Sequence, residues 1–415
     1  MALKLCCKIR HLRLQKQFVL ATRIFKHNSN LRLFQTHHSS LKSKQLDCTL
    51  HNKRWMSTIQ GSEQPSTKRQ ALLYATYGSF ALGGFLLIAI ILREVKKKRL
   101  QWRGIFEMKI PEMRRLGMYK YKDVTLPLFV VNELENIEKF ESTAEDIWVV
   151  SFPRSGTTWL QEIVYLVQNK ANTVKAKSKL LDSRFPYLEF MTPGIKEIEK
   201  MPSPRLLKSH LPYSLLPKSV HENKPKIIYI ARNPKDVVVS YYYFVRLLFP
   251  VTRYEGEFKE FFNLFIHDKV MYAPWWRHVE EFWDMRHEDN ILFLTYEDLK
   301  RDTEGTIDKV AKFLGKTLTQ EQKDKIIDHC SFENMKKNPT TNHSWFETLG
   351  VSDPKRGDFM RKGCVGDWAN HLTDDMNRQM NQMIGYKLRN SDITFAFKGT
   401  HFENNDGDTI EQTLK

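Results

Sequence analysis

Residues 147–169 read IWVVSFPRSGTTWLQEIVYLVQN, and this stretch decides the fold class. Its first six residues are mostly apolar and β-branched, as in a buried strand of a parallel sheet. The apolar residues further on recur at helical spacing and are Leu160, Ile163, Val164 and Val167. We therefore predict a strand, a turn and a helix, with Gly156, Thr157 and Thr158 at the turn.

The turn between this strand and this helix is suited to binding an anion. The first N–H groups of a helix have no partners within it, and the helix dipole is positive there. Gly156 lets the backbone approach a phosphate closely, and the hydroxyls of Thr157 and Thr158 add donors. A Lys directly after the Gly, which common P-loop ATPases carry, is missing, whereas Arg154 precedes the Gly by two residues. The turn thus predicts a phosphate site of another kind.

Two further apolar runs predict neighbouring strands. KIIYIA, residues 226–231, is followed by RNPKDVVVSYYYF, whose proline suits the first turn of a helix. Arg232 emerges where this strand ends, and Ser240 lies about two helical turns later. An ion-paired structural Arg is the alternative, but beside a first anion site we favour a phosphate contact. With a third strand, ILFLTY at 291–296, the chain is predicted to be α/β, a P-loop-like three-layer sandwich with a central parallel sheet.

Two further segments carry residues suited to acid–base chemistry or to anion binding. LLKSHLP, residues 206–212, places Lys208 and His210 in alternation on an extended segment, so both side chains point the same way. Histidine exchanges protons near neutral pH. FMRKGCVGDW, residues 359–368, offers Arg361 and Lys362 beside a glycine, which suits a dianion; a solvated basic loop is the alternative.

The charge distribution separates the N-terminal segment from the rest of the chain. Of 415 residues, 65 are Lys or Arg and 48 are Asp or Glu, a net charge of +17. Residues 1–103 contain 20 of the basic and 3 of the acidic residues, which leaves 45 of each in the remainder. The body is therefore balanced, and we expect no nucleic-acid partner. The five Cys are scattered without a CxxC spacing, so we expect reduced thiols and no metal site.

The first hundred residues resemble a targeting segment followed by an anchor. Residues 71–92 contain no charge and are long enough to span a hydrocarbon core of about 30 Å, so we predict a single transmembrane helix. Residues 1–70 are basic and nearly free of acid, like a mitochondrial presequence, and RWMST at 54–58 resembles a cleavage site. A mitochondrial membrane is slightly favoured over an ER or Golgi membrane. The remaining predicted divisions are a basic linker at 93–117, a catalytic domain at 118–400 and a flexible tail at 401–415.

The motifs of the body resemble those of one enzyme family. FPRSGTTW, KSHLP, RNPKDVVVSYYYF and RKGCVGDW occur in the order and approximate spacing of the PAPS-dependent sulfotransferases that act on small molecules. The resemblance runs from residue 118 to residue 384. It implies the donor 3′-phosphoadenosine-5′-phosphosulfate (PAPS) and transfer of its sulfuryl group, without a metal, to a hydroxyl or amine of a small, hydrophobic acceptor.

The resemblance also implies roles for individual residues. The catalytic set would be His210 as general base, Lys208 orienting the transferring group and Arg154 stabilising charge on the leaving phosphate. The 5′-phosphosulfate would be held by Arg154, Ser155, Gly156, Thr157 and Thr158, with Trp159 stacking near the adenine. The 3′-phosphate would be held by Arg232, Ser240, Arg361, Lys362 and Gly363, in the segment that begins with Phe359 and Met360. The adenine would be bordered by Tyr296, Cys330, Ser331, Phe332 and Met335.

The chain departs from the family pattern in two places. Arg154 stands where most members have Lys, which puts the rate in doubt. The family's dimer motif is broken in DWANHLTDDMNR, residues 367–378, so the usual homodimer is doubtful. A silent membrane-tethered binding protein, an ATP-dependent kinase, and sulfonation followed by elimination are the alternative functions. Candidate walls of the acceptor pocket are Phe185, Tyr187, Tyr242, Tyr243, Phe244 and Phe249.

Overall fold

A parallel sheet of four strands lies at the centre of the computed structural model, which describes residues 67–113 and 115–396. The strands are β1 (Ile105–Met108), β2 (Met118–Tyr121), β3 (Val124–Pro127), β4 (Ile147–Val150), β5 (Leu206–Ser209), β6 (Lys226–Ala231) and β7 (Ile291–Thr295). The order in the central sheet is β5-β4-β6-β7. β4 therefore lies inside the sheet, and its carboxyl end lies beside the carboxyl ends of its parallel neighbours β5 and β6.

Helices cover both faces of this sheet. The successive side chains Trp148 and Val149 of β4 enter two different hydrophobic cores, because neighbouring residues of a strand point to opposite faces. Ile227 and Ile228 of β6 divide in the same way. The predicted three-layer α/β arrangement with a central parallel sheet is thus confirmed.

The helices follow the strands in the alternation typical of parallel sheets. The helices of the body are α2 (Leu128–Glu138), α3 (Thr157–Gln168), α4 (Thr173–Lys177), α5 (Leu181–Arg184), α6 (Ile195–Ile198), α7 (Lys218–Asn223), α8 (Pro234–Leu247), α9 (Phe249–Thr252), α10 (Phe258–Ile266), α11 (Trp275–Asp284), α12 (Tyr296–Arg301), α13 (Thr303–Phe313), α14 (Gln320–His329), α15 (Phe332–Lys337), α16 (Trp345–Thr348) and α17 (Asp374–Lys387). Short 3₁₀ turns occupy Pro111–Met113, Tyr213–Leu215, Pro354–Arg356 and Asp367–Asn370. α3 and α8, which follow β4 and β6, carry the two predicted phosphate motifs.

The segment predicted as a linker, residues 93–117, contains folded structure. β1 pairs antiparallel with β2, which pairs with β3 in a separate three-stranded sheet. Ile105, Ile110 and Met113 are buried in the larger hydrophobic core. The charge pattern of the segment predicts a linker, but Ile105 lies in β1, which pairs with β2, and Ile110 and Met113 pack in the same core. The sequence pattern did not reveal these contacts.

The first described helix, α1 (Thr67–Trp102), contains the predicted transmembrane segment and runs past its expected end at Leu92 through the basic residues that follow. Within the described ranges, no helix has both the length and the apolar character that a membrane crossing needs. The prediction of a transmembrane helix at residues 71–92 is therefore not supported. Near its C-terminus, α1 is fixed to α2 by ion pairs, in which Arg99 lies 3.2 Å from Glu135 and Arg103 lies 2.9 Å from Glu138.

Of the predicted targeting segment, residues 1–70, all but the last four lie outside the described residues, as does the predicted tail at 401–415. Mitochondrial targeting accordingly stays a prediction.

Candidate active site

The turn after β4 has the geometry expected of an anion-binding loop. Gly156 has a φ of +100° and lies directly before α3, whose first residue is Thr157. A Cβ atom at position 156 would lie 2.6 Å from Cδ2 of Tyr296, so only glycine fits without movement. The hydroxyl of Thr157 is 2.6 Å from that of Ser151, which fixes the start of the helix on the end of the strand. The unpaired N–H groups of the first turn of α3 therefore face an open cleft.

This cleft spans about 910 Å³, part of which is open to solvent, and most of the residues singled out in the sequence border it. The predicted residues that border it are Arg154, Gly156, Thr157, Thr158, Trp159, Lys208, Arg232, Ser240, Tyr296, Cys330, Phe332, Met335, Phe359, Met360, Arg361, Lys362 and Gly363. They come from six separate segments of the chain, which meet at the carboxyl ends of the central strands. Such an edge is where α/β sheets bind their ligands.

Three predicted residues do not border the cleft. Ser155 is fully buried. The Ser331 hydroxyl caps α15 by accepting the N–H of Asn334, so it is engaged in the helix end. His210 lies beyond Lys208, with its ring against those of Tyr187 and Tyr272 at centroid distances of 5.1 and 5.7 Å.

Arg154 contacts two other segments that border the cleft, the helix α8 and the segment that begins at Phe359. Its Nε donates to the hydroxyl of Ser240 at 3.1 Å, and its Nη2 donates to the carbonyl oxygen of Phe359 at 2.9 Å. Its guanidinium lies 4.8 Å from each of the ring centroids of Phe244 and Phe359. Burial and the neighbouring Arg232 and Arg361 lower the pKa of Arg154 to about 9. The guanidinium therefore stays charged at neutral pH, and it uses a planar geometry that Lys lacks.

Arg232 forms a second positive centre at the end of β6. Its Nη2 donates to the carbonyl oxygen of Cys364 at 2.8 Å and lies 3.6 Å from the carboxylate of Asp236. Its guanidinium lies 4.3 Å from the ring centroid of Tyr296. Asn233 caps α8 by accepting the N–H of Asp236, and Pro234 begins the helix. The strand end and the helix start thus hold Arg232 in place.

The segment from Phe359 to Gly363 brings two further cations to this centre. Arg361 and Lys362 both donate to the buried carboxylate of Asp367. Although burial opposes it, hydrogen bonds from Lys362 and Arg361 hold the pKa of Asp367 well below its usual range. Gly363 has a φ of +66°, and a Cβ there would collide with the ring of Phe332. The loop is therefore shaped by close contact as well as by charge.

His210 is held through its ring by a backbone carbonyl oxygen and through its own backbone N–H by a carboxylate. Its Nδ1 lies 2.7 Å from the carbonyl oxygen of Ser151, and its backbone N–H donates to Glu189 at 2.7 Å. Because a carbonyl oxygen only accepts hydrogen bonds, Nδ1 carries the proton and Nε2 is left as an acceptor. Burial and the nearby Lys208 hold the pKa of His210 well below its usual value. The imidazole is therefore neutral at pH 7 and able to take a proton.

Lys208, the neighbour of His210 along the strand, is 7% exposed, with its Nζ 4.5 Å from the ring centroid of Tyr187. Burial lowers the pKa of its ammonium, while the carboxylates of Asp182 and Glu189 oppose that shift. Glu189 is fully buried, and burial raises its own pKa to about 7. Lys208 therefore lies between the cleft described above and a group of buried aromatic and acidic side chains.

Several buried donors around the cleft have no hydrogen-bond partner among the described residues. They are Ser155 Oγ, Trp159 Nε1, Arg232 Nε and Arg361 Nε. An unpaired buried donor is costly unless a ligand satisfies it. Together with the glycines at 156 and 363, these groups fit a nucleotide that carries phosphate at two separate positions.

Two residues that border the cleft were missed in the sequence. Lys300 lies one helical turn after Tyr296 on α12, with its Nζ 5.8 Å from the ring centroid of Trp159. The i, i+4 spacing from Tyr296 was the available signal. Cys364 follows Gly363 directly and offers its carbonyl oxygen to Arg232. In the described parts of the chain, no group of three or more His, Cys, Asp or Glu residues could hold a metal ion.

Of the six aromatic candidates for the acceptor pocket, two lie near the reactive groups. Tyr187 contacts His210 and Lys208, and Phe244 contacts Arg154. The other four pack in the core or against basic side chains and are Phe185, Tyr242, Tyr243 and Phe249.

Comparison with known proteins agrees with this geometry. Residues 144–392 match the sulfotransferase domain family. Sulfotransferase 1B1 of Mus musculus is 44% identical over 268 residues, 63% of this chain and 88% of that protein. Sulfotransferase 1C2 of Homo sapiens is 39% identical over 289 residues, 69% of this chain and 97% of that protein.

Two solved structures share the fold. Retinol dehydratase, in complex with androsterone and the inactive cofactor PAP, superposes with a TM-score of 0.64 at 28% identity, over 70% of this chain and 97% of that one. Mouse sulfotransferase SULT7A1, complexed with PAP, superposes with a TM-score of 0.54 at 30% identity, over 66% and 95% of the two chains. The chain belongs to the sulfotransferase family, and it is a PAPS-dependent enzyme of that family.

Proposed function

We propose that this sulfotransferase transfers the sulfuryl group of PAPS to a hydroxyl or amine of a small, mainly hydrophobic molecule, with His210 as the general base. The observation that carries the proposal is the hydrogen bond from Nδ1 of His210 to the carbonyl oxygen of Ser151. It leaves Nε2 as the basic nitrogen, next to a buried lysine at the edge of the donor cleft.

His210 takes the acceptor's proton as the acceptor attacks sulfur. A general base works best with a pKa near the working pH, and burial and Lys208 hold the pKa of His210 below that range. When the donor binds, its negative charge beside Lys208 offsets the effect of the Lys208 charge on His210. The pKa of His210 then rises, because an anion favours the protonated imidazole. Donor binding therefore makes His210 a stronger base.

Lys208 and Arg154 act on the charge of the transferring group. The ammonium of Lys208 borders the donor cleft and orients the sulfuryl oxygens. Arg154 stabilises negative charge that grows on the leaving phosphate, because its charged fork lies at the phosphate loop in a buried setting. Fixed charges of this kind need no reorganisation during the reaction.

The donor is held at both ends. The N–H groups and hydroxyls of residues 154–158 hold the 5′-phosphosulfate. The 3′-phosphate is held by Arg232, Ser240, Arg361, Lys362 and Gly363. The two buried guanidinium Nε atoms without partners, in Arg232 and Arg361, support this division, since a phosphate dianion would satisfy both. The adenine is bordered by Trp159, Tyr296, Phe332 and Met335, with Cys330 and Met360 beside them.

Calorimetry and product analysis on the full chain test the proposal. Adenosine 3′,5′-bisphosphate (PAP) should bind at least about tenfold more tightly than ATP, because ATP lacks the 3′-phosphate. A preference for ATP would favour a kinase. With sulfur-labelled PAPS and a panel of phenols, sterols, retinoids and amines, label should appear on one class of acceptor, and binding of PAP without any transfer would favour a silent binding protein.

A second outcome of the product analysis has a specific motive. One of the structural neighbours is a retinol dehydratase. Release of free sulfate together with a dehydrated acceptor would show that elimination follows sulfonation in this chain as well.

A further inference from the structure

The peptide groups of His210 lie just beyond the central sheet, because β5 ends at Ser209 and its pairing with β4 ends there too. His210 is buried, and buried peptide groups need hydrogen-bond partners. Two side chains provide them. Glu189 accepts the N–H of His210 at 2.7 Å, and Nε2 of His278 lies 3.0 Å from the carbonyl oxygen of His210. Side chains, and not strand pairing, therefore hold the main chain at the proposed base.

The hydrogen bonds of His278, a buried residue of α11, settle its tautomer. Burial lowers the pKa of His278 to about 4, so its imidazole is neutral at pH 7. Because the carbonyl oxygen of His210 only accepts hydrogen bonds, Nε2 of His278 carries the single proton and donates it. Nδ1 is then an acceptor, and the hydroxyl of Tyr229 lies 2.9 Å from it, closer than the 3.3 Å to the His278 carbonyl oxygen. Tyr229 thus donates to His278, which donates to His210.

The ring of His278 is also fixed by its neighbours. It meets the ring of Phe152 nearly at right angles, with the centroids 5.7 Å apart, and it lies at the same distance from the ring of Tyr229. Phe152 directly follows Ser151, whose carbonyl oxygen holds the imidazole of His210. His278 therefore packs on the segment that orients the ring of the proposed base, and it holds the backbone of that base as well.

Resting on the proposed role of His210, we propose that His278 is a positioning residue of the transfer reaction. Its hydrogen bond to the carbonyl oxygen of His210 holds the imidazole of His210 where proton transfer requires it. His278 does not border the donor cleft, and it takes no proton from the acceptor. Misplacement of a reacting group by about 1 Å can lower a rate by about a hundredfold, so a contact of this kind has a measurable effect on kcat.

Two substitutions of His278 in the full chain test this inference. His278→Phe keeps a ring but removes the donor, whereas His278→Gln keeps an N–H group at the position of Nε2. Transfer from sulfur-labelled PAPS is measured with the acceptor that takes up label in the panel described above. We expect kcat to fall at least about tenfold in His278→Phe and to stay within about threefold of the parent value in His278→Gln. Calorimetry should give the parent affinity for PAP in both proteins, because His278 lies outside the donor cleft.

His221→Phe is the matched control. His221 lies in α7, away from the cleft, and its imidazole packs on an aromatic ring, that of Tyr213, at 4.6 Å. This variant should keep the parent kcat. A parent-like kcat in folded His278→Phe, or an equal loss of kcat in His278→Gln, would overturn the inference.

A double substitution separates positioning from a merely structural role. If His278 acts through His210, adding His278→Phe to His210→Ala should not lower the residual rate further. A further tenfold loss would contradict the inference. If His278→Phe does not fold, Tyr229→Phe removes only the hydroxyl that donates to Nδ1 and should lower kcat about threefold, again only when His210 is present. A parent-like kcat in Tyr229→Phe would then refute the inference.

The same measurements distinguish this inference from the proposed function. Parent-like turnover of His210→Ala removes the proposed base and this inference together. Slow turnover of His210→Ala beside fast turnover of His278→Phe contradicts this inference alone.

Discussion

Nδ1 of His210 lies 2.7 Å from the carbonyl oxygen of Ser151, the first residue after β4. The residue at the end of one strand therefore sets the tautomer of a histidine at the end of the next. Since the turn that leads to Gly156 begins at the same serine, the position of the proposed base is tied to the loop that we propose binds the donor. Backbone geometry, which few substitutions disturb, provides this link.

His210→Ala should lower kcat by at least about a hundredfold, since general base catalysis contributes about 10² to 10⁴ in rate. PAP affinity should change little, because His210 does not border the donor cleft. Steady-state kinetics and calorimetry on the same preparation check both statements. His287→Ala, an exposed histidine after α11, serves as the matched control. Parent-like turnover in the His210 variant would remove this residue from the mechanism.

Arg154→Lys, which restores the residue typical of the family, should weaken PAP binding about five- to tenfold. Lysine keeps the charge but cannot donate to Ser240 and to the Phe359 carbonyl in the same planar geometry. The loss of one such hydrogen bond is worth about 1 kcal/mol. Arg246→Lys, in the helix α8 that also carries Ser240 but away from the cleft, is the control for the chemical change. Tighter binding of PAP by Arg154→Lys would show that the arginine fork opposes the donor.

Gly363→Ala and Gly315→Ala form a second matched pair, because both glycines have a φ of +66°. Each substitution should lower the free energy of unfolding by about 1 kcal/mol from backbone strain alone. Only at position 363 does the new Cβ meet a neighbour, the ring of Phe332, whereas position 315 has open space. PAP affinity should therefore fall at least about tenfold in Gly363→Ala and stay unchanged in Gly315→Ala. Equal affinities would mean that the Phe332 contact is irrelevant to donor binding.

Glu189→Gln should flatten the pH dependence of stability. Burial raises the pKa of Glu189 from 4.5 to about 7, so the fold favours the neutral carboxyl. This contribution is fully present below pH 4.5 and is lost as the pH rises through about 7. Between pH 5 and pH 8, the fall in the free energy of unfolding should therefore be smaller in the variant, by about 2 kcal/mol at 1.36 kcal/mol per pKa unit. Urea unfolding at both pH values measures this, with the exposed Glu333→Gln as control. An identical fall in the variant and the parent would contradict the shifted pKa.

Sequence patterns predicted the core elements well where local periodicity determines them. The bounds of β6 are those expected, and β4 and β7 end only one or two residues early. α3 begins at Thr157, three residues before Leu160, where the apolar pattern starts, because polar residues can form the first turn of a helix. Local patterns thus located every predicted strand of the central sheet.

Features that depend on distant contacts were not predictable in this way. The pairing of Asp182 with Trp345 joins residues 163 positions apart, and no local pattern reports it. The helix cap formed by the Ser331 hydroxyl was likewise not predicted, and the position of this residue beside the adenine stays a prediction. The charges of the segment 93–117 predict a linker, whereas β1 pairs with β2 and several apolar residues of the segment pack in the larger core.

The ring of Tyr296 lies against both the turn at Gly156 and the guanidinium of Arg232, on two sides of the cleft. It closes against Gly156 of the phosphate loop, and it lies 4.3 Å from the guanidinium of Arg232. A rigid aromatic ring, and not a flexible loop, therefore lies between the proposed subsites for the 5′-phosphosulfate and the 3′-phosphate. We accordingly expect nucleotides whose two phosphates are spaced differently from those of PAP to bind more weakly, even at equal total charge.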